Sequence, residues 1–217
     1  MNCAIILASG NSTRFKGKTP KQFNILNGRM VLDYPVETFS QCEKIDKVII
    51  VVPEQYCSEI QKKYFDHLVV PGGLTRREST YKGILSCPIE TKNILIHDAA
   101  RALVDKSIIN RCINSLKTAK AVSTIVPSID TVVETNGTKI VNMPNRNQMF
   151  LEQTPQGFDY HTLLKAHNTI HIDTTDDIRL VYEMGINCQI VEGSFKNYKI
   201  TTQQDLHLAE ILLKEKN

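Results

Sequence analysis

Residues 3–15 read CAIILASGNSTRF. The first six (3–8, CAIILA) form a short unbroken apolar run, which predicts a buried strand. From Ser9 to about residue 22 the chain turns polar and small, with Gly10, Ser12 and Gly17 among the residues. A small-residue loop at the carboxyl end of a buried strand is where open α/β sheets bind ligands. Four more runs repeat the strand signature: 47–52 (KVIIVV, closed by Pro53), 67–70 (HLVV, ended by Pro71-Gly72-Gly73), 93–97 (NILIH) and 120–126 (KAVSTIV). Helical patterns separate them at 30–41, where Pro35 kinks or delays the start, and at 54–65, 76–86 and 105–118. The last places Ile108, Ile109, Cys112, Ile113 and Leu116 at helical spacing.

Continuous apolar strands alternating with helices predict a Rossmann-like α/β fold, a mostly parallel sheet with helices on both faces. The rhythm breaks near residue 128, where Asn136-Gly137 between two β-like runs signals a hairpin. The expected organisation is one domain over 1–217 with a protruding β-arm at about 128–155. Helices near 159–168 and 175–184, strands at 187–191 and 196–200, and a closing helix at 202–215 complete the pattern.

The chain has 217 residues, of which 23% are charged, and a formal net charge of +3. It carries neither an acidic tail nor a basic nucleic-acid arm, and the mild positive balance suits a small anionic substrate. No segment approaches the roughly 18–20 apolar residues of a membrane span. The start lacks the positive region of a signal peptide, so a cytoplasmic protein is expected. The six cysteines are scattered without C-x-x-C or zinc-like spacing and read as reduced thiols.

Four segments could carry chemistry. In the first loop, small residues let backbone N–H groups approach phosphates, Arg14 can fork onto phosphate oxygens, and Lys21 adds a point charge. Neither a P-loop nor a G-x-G-x-x-G fingerprint is present, and an ordinary strand-to-helix connection explains the spacing about as well. His97-Asp98-Ala99-Ala100-Arg101 puts a carboxylate at a strand end, suited to Mg²⁺; the alternative is a turn in which Asp98 caps the next segment and pairs with Arg101. Gly72-Gly73 with Ser79 permits backbone contact with a flat ligand, the alternative being a plain helix entry with Arg76 and Arg77 in solvent. Lys199 lies between apolar neighbours, and Thr201 or Thr202 caps the last helix. His167 and His171 lack a third ligand for a metal. Asp173, Asp176 and Asp177 sit at a helix start, where negative charge is favourable anyway.

Taken together, ILASGNSTRF, TPKQF, PGG with RRES, IHDAAR, DTVVET, PNRNQMFLEQTPQGF, TTDD, VEGSFKNYKITT and DLHLAE resemble, in order from residue 3 to about 212, the 2-C-methyl-D-erythritol 4-phosphate cytidylyltransferase family and its relatives, the ribitol-5-phosphate cytidylyltransferases. The resemblance implies a homodimer joined by the β-arm and Mg²⁺-dependent transfer of CMP from CTP to a polyol phosphate, with no nucleic-acid or membrane partner. By the same resemblance Arg14, Lys21 and Lys199 are catalytic and Asp98 holds the metal. Ala8, Ser9, Gly10, Gly72 and Ser79 surround the nucleotide, and Arg101, Thr131, Arg146 and Thr175 hold the acceptor. Three positions depart from the family's habit: Ser9 and Ser12 replace Ala or Gly, and Ala102 stands where proline is usual. HDAAR, TTDD and VEGSFKNYKIT favour methylerythritol phosphate as acceptor; PNRNQMFLEQTPQGF and DTVVE keep ribitol 5-phosphate as the alternative. A nicotinamide oxidoreductase is disfavoured by the missing fingerprint. A degenerate scaffold is disfavoured by the retained Arg14, Lys21, Asp98 and Lys199, while UTP in place of CTP stays open.

Overall fold

The computed structural model describes residues 1–15, 17, 19–172 and 174–214; Asp173 of the expected acidic cluster lies outside them. In chain order the strands are β1 (Asn2–Leu7), β2 (Ile25–Leu26), β3 (Arg29–Met30), β4 (Lys47–Val52), β5 (Leu68–Pro71), β6 (Asn93–Asp98), β7 (Ala121–Pro127), β8 (Glu134–Asn136), β9 (Lys139–Asn142), β10 (Phe150–Asp159) and β11 (Cys188–Glu192). The helices are α1 (Asp33–Ser40), α2 (Cys57–Lys63), α3 (Arg76–Leu85), α4 (Lys106–Ser115), α5 (Tyr160–Thr169), α6 (Asp177–Glu183) and α7 (Gln203–Lys214).

The main sheet has seven strands in the order β11-β7-β10-β6-β1-β4-β5. β1 lies at its heart, parallel to β4 and β6. Its alternating residues feed two cores: Ala4 and Ile6 enter one, and Cys3, Ile5 and Leu7 the other, as the period of two requires. Val36 and Phe39 of α1, Ile60 of α2 and Ile109, Cys112 and Ile113 of α4 cover the first face. Ile84 of α3, Leu163 and Ala166 of α5, and Leu180 and Val181 of α6 cover the second. Helix α3 lies so close to β1 that a Cβ on Gly83 would stand 2.7 Å from Ile5 Cγ2. The helical spacing of α4 is explained by this burial, and Asp105 caps it by accepting Ile108 N–H at 2.9 Å.

Two features differ from the sequence reading. β10 runs antiparallel between β6 and β7, where the sequence suggested the end of an arm. FLEQTPQGFD conceals a central strand because Pro155 and Gly157 are strand breakers and Gln153, Thr154 and Gln156 are polar. All three polar residues are buried, and the pairing with β7 shifts register between Gln153 and Gly157. Residues 150–155 therefore belong to the sheet; β8 and β9 pair with each other in a separate two-stranded sheet. Residues 196–200 are not a strand: Phe195–Asn197 form a 3-10 turn, with Ser194 accepting Lys196 N–H at 3.2 Å. Helix α7 is capped as expected by Thr202, which accepts Asp205 N–H at 3.3 Å, while Asp205 accepts Thr202 N–H at 2.7 Å.

Candidate active site

The carboxyl ends of β1, β4, β5 and β6 meet at one rim, stitched by Ala8 N–H to Val51 O (2.7 Å), Gly72 N–H to Val52 O (2.7 Å) and Ala99 N–H to Leu7 O (2.9 Å). Above that rim lies a cleft of about 290 Å³ whose wall includes Ala8, Ser9, Gly10, Arg14, Lys21, Ser79, Asp98 and Lys199. Residues from the loop after β1, from α3, from β6 and from the segment before α7 thus face one space.

The loop after β1 keeps its shape through Gln22, which the sequence reading passed over. Its buried amide donates to Ala8 O (2.6 Å) and Gly10 O (3.1 Å) and accepts from the Ser12 hydroxyl (3.2 Å). Ser12 has φ +54°, a left-handed conformation that glycine adopts more easily. Its hydroxyl helps to hold that turn by accepting Lys21 N–H at 3.0 Å. Lys21 is thereby delivered to the cleft. Burial, together with the positive charge of Lys199, brings its ammonium pKa down to about 8.

Asp98 is the electrostatic centre. Its Oδ2 accepts from Lys199 Nζ at 2.6 Å, and Arg76 Nε stands 3.4 Å from Oδ1. Burial alone would raise its pKa, but Arg76 and Lys199 overcome that and hold it far below the usual carboxylate range. It pairs with these cations rather than with Arg101. Its N–H donates to Thr154 Oγ1 (3.0 Å), which also meets His97 Nδ1 (3.1 Å), while His97 Nε2 reaches Arg101 O (3.1 Å). Since Arg101 O only accepts, Nε2 carries the proton. Burial lowers the His97 pKa to about 4, so the ring is neutral and braces the turn between Asp98 and Arg101.

At the other end of the cleft, Ser79 Oγ accepts Gly73 N–H (3.0 Å), donates to Thr75 O (2.9 Å) and lies 2.8 Å from Ser9 Oγ. Its one hydrogen goes to a carbonyl, so the Ser9 hydroxyl is the donor of the pair, and Ser79 is fully engaged. A Cβ on Gly72 would stand 2.5 Å from Ser9 Cβ and 3.0 Å from Ser79 Oγ, so this wall is built for a glycine.

The four residues expected to hold an acceptor are not gathered. Arg101 donates to Asn197 O (2.9 Å) and Glu152 O (3.1 Å). Arg146 donates to Ile129 O at 3.3 Å and is exposed, as is Thr131. Thr175 is exposed on the connection before α6 and donates to Asp176 Oδ2 at 2.7 Å. Arg76 and Asp177 were also missed as an ion pair (2.6 Å), because their contact joins positions far apart in sequence. Among the described residues no group of three or more His, Cys, Asp and Glu side chains could hold a metal, and no helix is long and apolar enough to cross a membrane.

A family model for 2-C-methyl-D-erythritol 4-phosphate cytidylyltransferase (IspD) matches residues 2–215. Proteins of that name from Desulforamulus reducens (35% identical, covering 99% of this chain and 96% of the relative) and Caldanaerobacter subterraneus subsp. tengcongensis (37%, 98% of each) are similar over nearly their whole length. The crystal structure of 4-diphosphocytidyl-2C-methyl-D-erythritol synthase from Anaerococcus prevotii is 29% identical with a TM-score of 0.87, covering 98% of both chains. That of the Thermus thermophilus cytidylyltransferase is 26% identical with a TM-score of 0.82, covering 97% of this chain and 98% of the other. Sequence and overall fold agree over nearly the whole length: the chain belongs to the 2-C-methyl-D-erythritol 4-phosphate cytidylyltransferase family.

Proposed function

We propose that this chain transfers CMP from CTP to 2-C-methyl-D-erythritol 4-phosphate, a step of isoprenoid precursor synthesis, through the cleft at the rim of β1 and β6. The observation that carries the reading is the convergence of Arg14, Lys21 and Lys199 with Asp98 around one space. An oxygen of the acceptor's phosphate attacks the α-phosphorus; the bond from that phosphorus to the oxygen bridging to the β-phosphorus breaks, and pyrophosphate leaves with the electron pair. A phosphate monoester has its second pKa near about 6, so at neutral pH the nucleophile needs no general base. The work left to the protein is positioning and charge neutralisation.

Arg14 and Lys21 hold the triphosphate and the charge that grows on it, and Lys199 contacts the α-phosphate. Lys21, with a pKa of about 8, is still largely protonated at neutral pH. The engaged Ser9–Ser79–Gly73 wall, with Gly72 behind it, meets the nucleoside; for Ser79 to bond the base, one of its present partners must yield. Among the described residues Asp98 is the one carboxylate that lines the cleft, which fits Mg²⁺ in the mode where phosphates and water supply most ligands. When bound there, the ion would neutralise phosphate charge. The apolar side chains exposed on the β8–β9 hairpin and just beyond it (Ile140, Val141, Met143) support a homodimer in which the arm carries Thr131 and Arg146 towards the partner's cleft. Cytoplasmic location accompanies this reading.

The test is pyrophosphate release with Mg²⁺ and CTP, comparing methylerythritol 4-phosphate with ribitol 5-phosphate. Release with the first alone is expected. Release with ribitol 5-phosphate alone would overturn the acceptor, and release with neither would overturn the reaction.

A further inference from the structure

Helix α3 opens with two arginines, and neither lies free in solvent. Arg76 Nη1 donates to Asp177 Oδ2 at 2.6 Å while its Nε approaches Asp98 Oδ1 at 3.4 Å. One guanidinium thus bridges the carboxylate that ends β6 and the carboxylate that begins α6. The Asp177 side chain is 1% exposed. Its Oδ1 accepts from His167 Nε2 at 3.0 Å, and the Thr80 hydroxyl lies 3.3 Å from Oδ2. Burial would raise its pKa, but Arg76 and His167 bring it below the ordinary value, so it is charged.

Arg77 grips the same region from one position further on. It donates to His167 O (2.9 Å), Ile172 O (3.1 Å) and Ile170 O, carbonyls at and just past the end of α5. A third anchor comes from β10, where Gln156 Oε1 accepts Ile178 N–H at 3.3 Å. The connection from α5 to α6, which carries Thr174, Thr175 and Asp176, is therefore held at both ends by α3, which starts three residues after Gly73.

Stability alone is a weak reason for this arrangement. Replacing a buried ion pair with packed hydrophobic groups is often neutral or stabilising, so the fold does not require a buried Arg76–Asp177 contact here. In-line attack does require its two phosphates to be held within about 0.5 Å of the productive geometry, and a misplacement of about 1 Å can cost 10²-fold. The bridge connects two places that must agree: the Asp98 carboxylate at the rim of the cleft and the connection bearing Thr175.

We propose that Arg76 and Asp177 are a positioning pair for the acceptor, with Arg77 as a second clamp, setting the Thr174–Asp176 connection in register with Asp98. This rests on the reading that Thr175 holds the acceptor's phosphate. Breaking the pair should weaken acceptor capture while leaving CTP capture intact.

The test compares Asp177→Asn and Arg77→Gln with the wild type in two measurements: the acceptor KM at saturating CTP, and the CTP Kd measured by calorimetry without acceptor. The expected result is an acceptor KM raised at least about tenfold in Asp177→Asn and about threefold in Arg77→Gln. The CTP Kd should stay within about twofold. If Asp177→Asn does not fold, Arg77→Gln, which leaves no buried charge unpaired, carries the test alone. Parallel loss of both substrates would mean a merely structural role and would overturn the proposal. So would an unchanged acceptor KM in folded variants. A wild type that releases pyrophosphate with ribitol 5-phosphate but not with methylerythritol phosphate would instead overturn the acceptor reading, a failure visible before any variant is made.

Discussion

The wall of the cleft and the set of residues proposed to hold the acceptor are assembled in different ways. Ala8, Ser9, Gly10, Arg14 and Lys21 come from a single connection, and the rim of β6 adds Asp98 beside them. Arg101, Thr131, Arg146 and Thr175 come from four separate segments, and none of the four lines the cleft. A loop braced by Gln22 can present a phosphate cradle within one chain. Residues that flank a hairpin outside the main sheet and residues on the connection before α6 can converge only through tertiary or quaternary contacts. On the proposed reading, charge neutralisation is accordingly built within one connection and the strand end beside it, whereas acceptor selection depends on how distant parts are held.

The largest effect that could break this contrast is expected at Asp98. Asp98→Ala removes the partner of both Lys199 and Arg76 and leaves their like charges facing each other. Turnover in the pyrophosphate-release assay should fall by about 10³-fold, and a loss of less than about tenfold would show that the phosphate end does not depend on this carboxylate. Next comes Lys21→Met, expected to lower kcat by about 10²–10³ while not lowering the melting temperature at pH 7. The sign follows from the burial of the ammonium. Its folded pKa of about 8 lies below the ordinary 10.5, so the folded wild type binds fewer protons than the unfolded chain between those values. Wild-type stability therefore gains from this group as pH rises through that window. Any advantage of Lys21→Met in melting temperature should be fully present below pH 8 and shrink towards pH 10.5. An advantage that grows with pH would contradict the burial of this lysine.

The smallest effects should sharpen the contrast rather than break it. Gly72→Ala places a Cβ 2.5 Å from Ser9 Cβ and should raise the CTP KM about tenfold by overpacking the wall, with acceptor KM unchanged. Arg146→Ala should do the reverse, raising acceptor KM several-fold with CTP Kd unchanged. Steady-state kinetics with each substrate varied in turn distinguishes the two patterns, and a variant that disturbs both substrates equally would show the two ends to be one site.

The sequence by itself determined the layered α/β fold, because strands buried on both faces must be continuously apolar and their covering helices must repeat at helical spacing. It also showed which residues crowd the first loop and the end of β6, since chain neighbours stay neighbours after folding. Only the tertiary structure revealed β10, whose Pro155, Gly157 and polar residues disguise a central strand. It likewise placed Lys199 against Asp98, saturated Ser79 with internal partners and buried Arg76 against Asp177. Each of those contacts joins residues distant in the chain, and nothing in local propensity or periodicity encodes which charge will meet which carboxylate. That choice is made by the sheet order and by the high cost of leaving a buried charge unpaired.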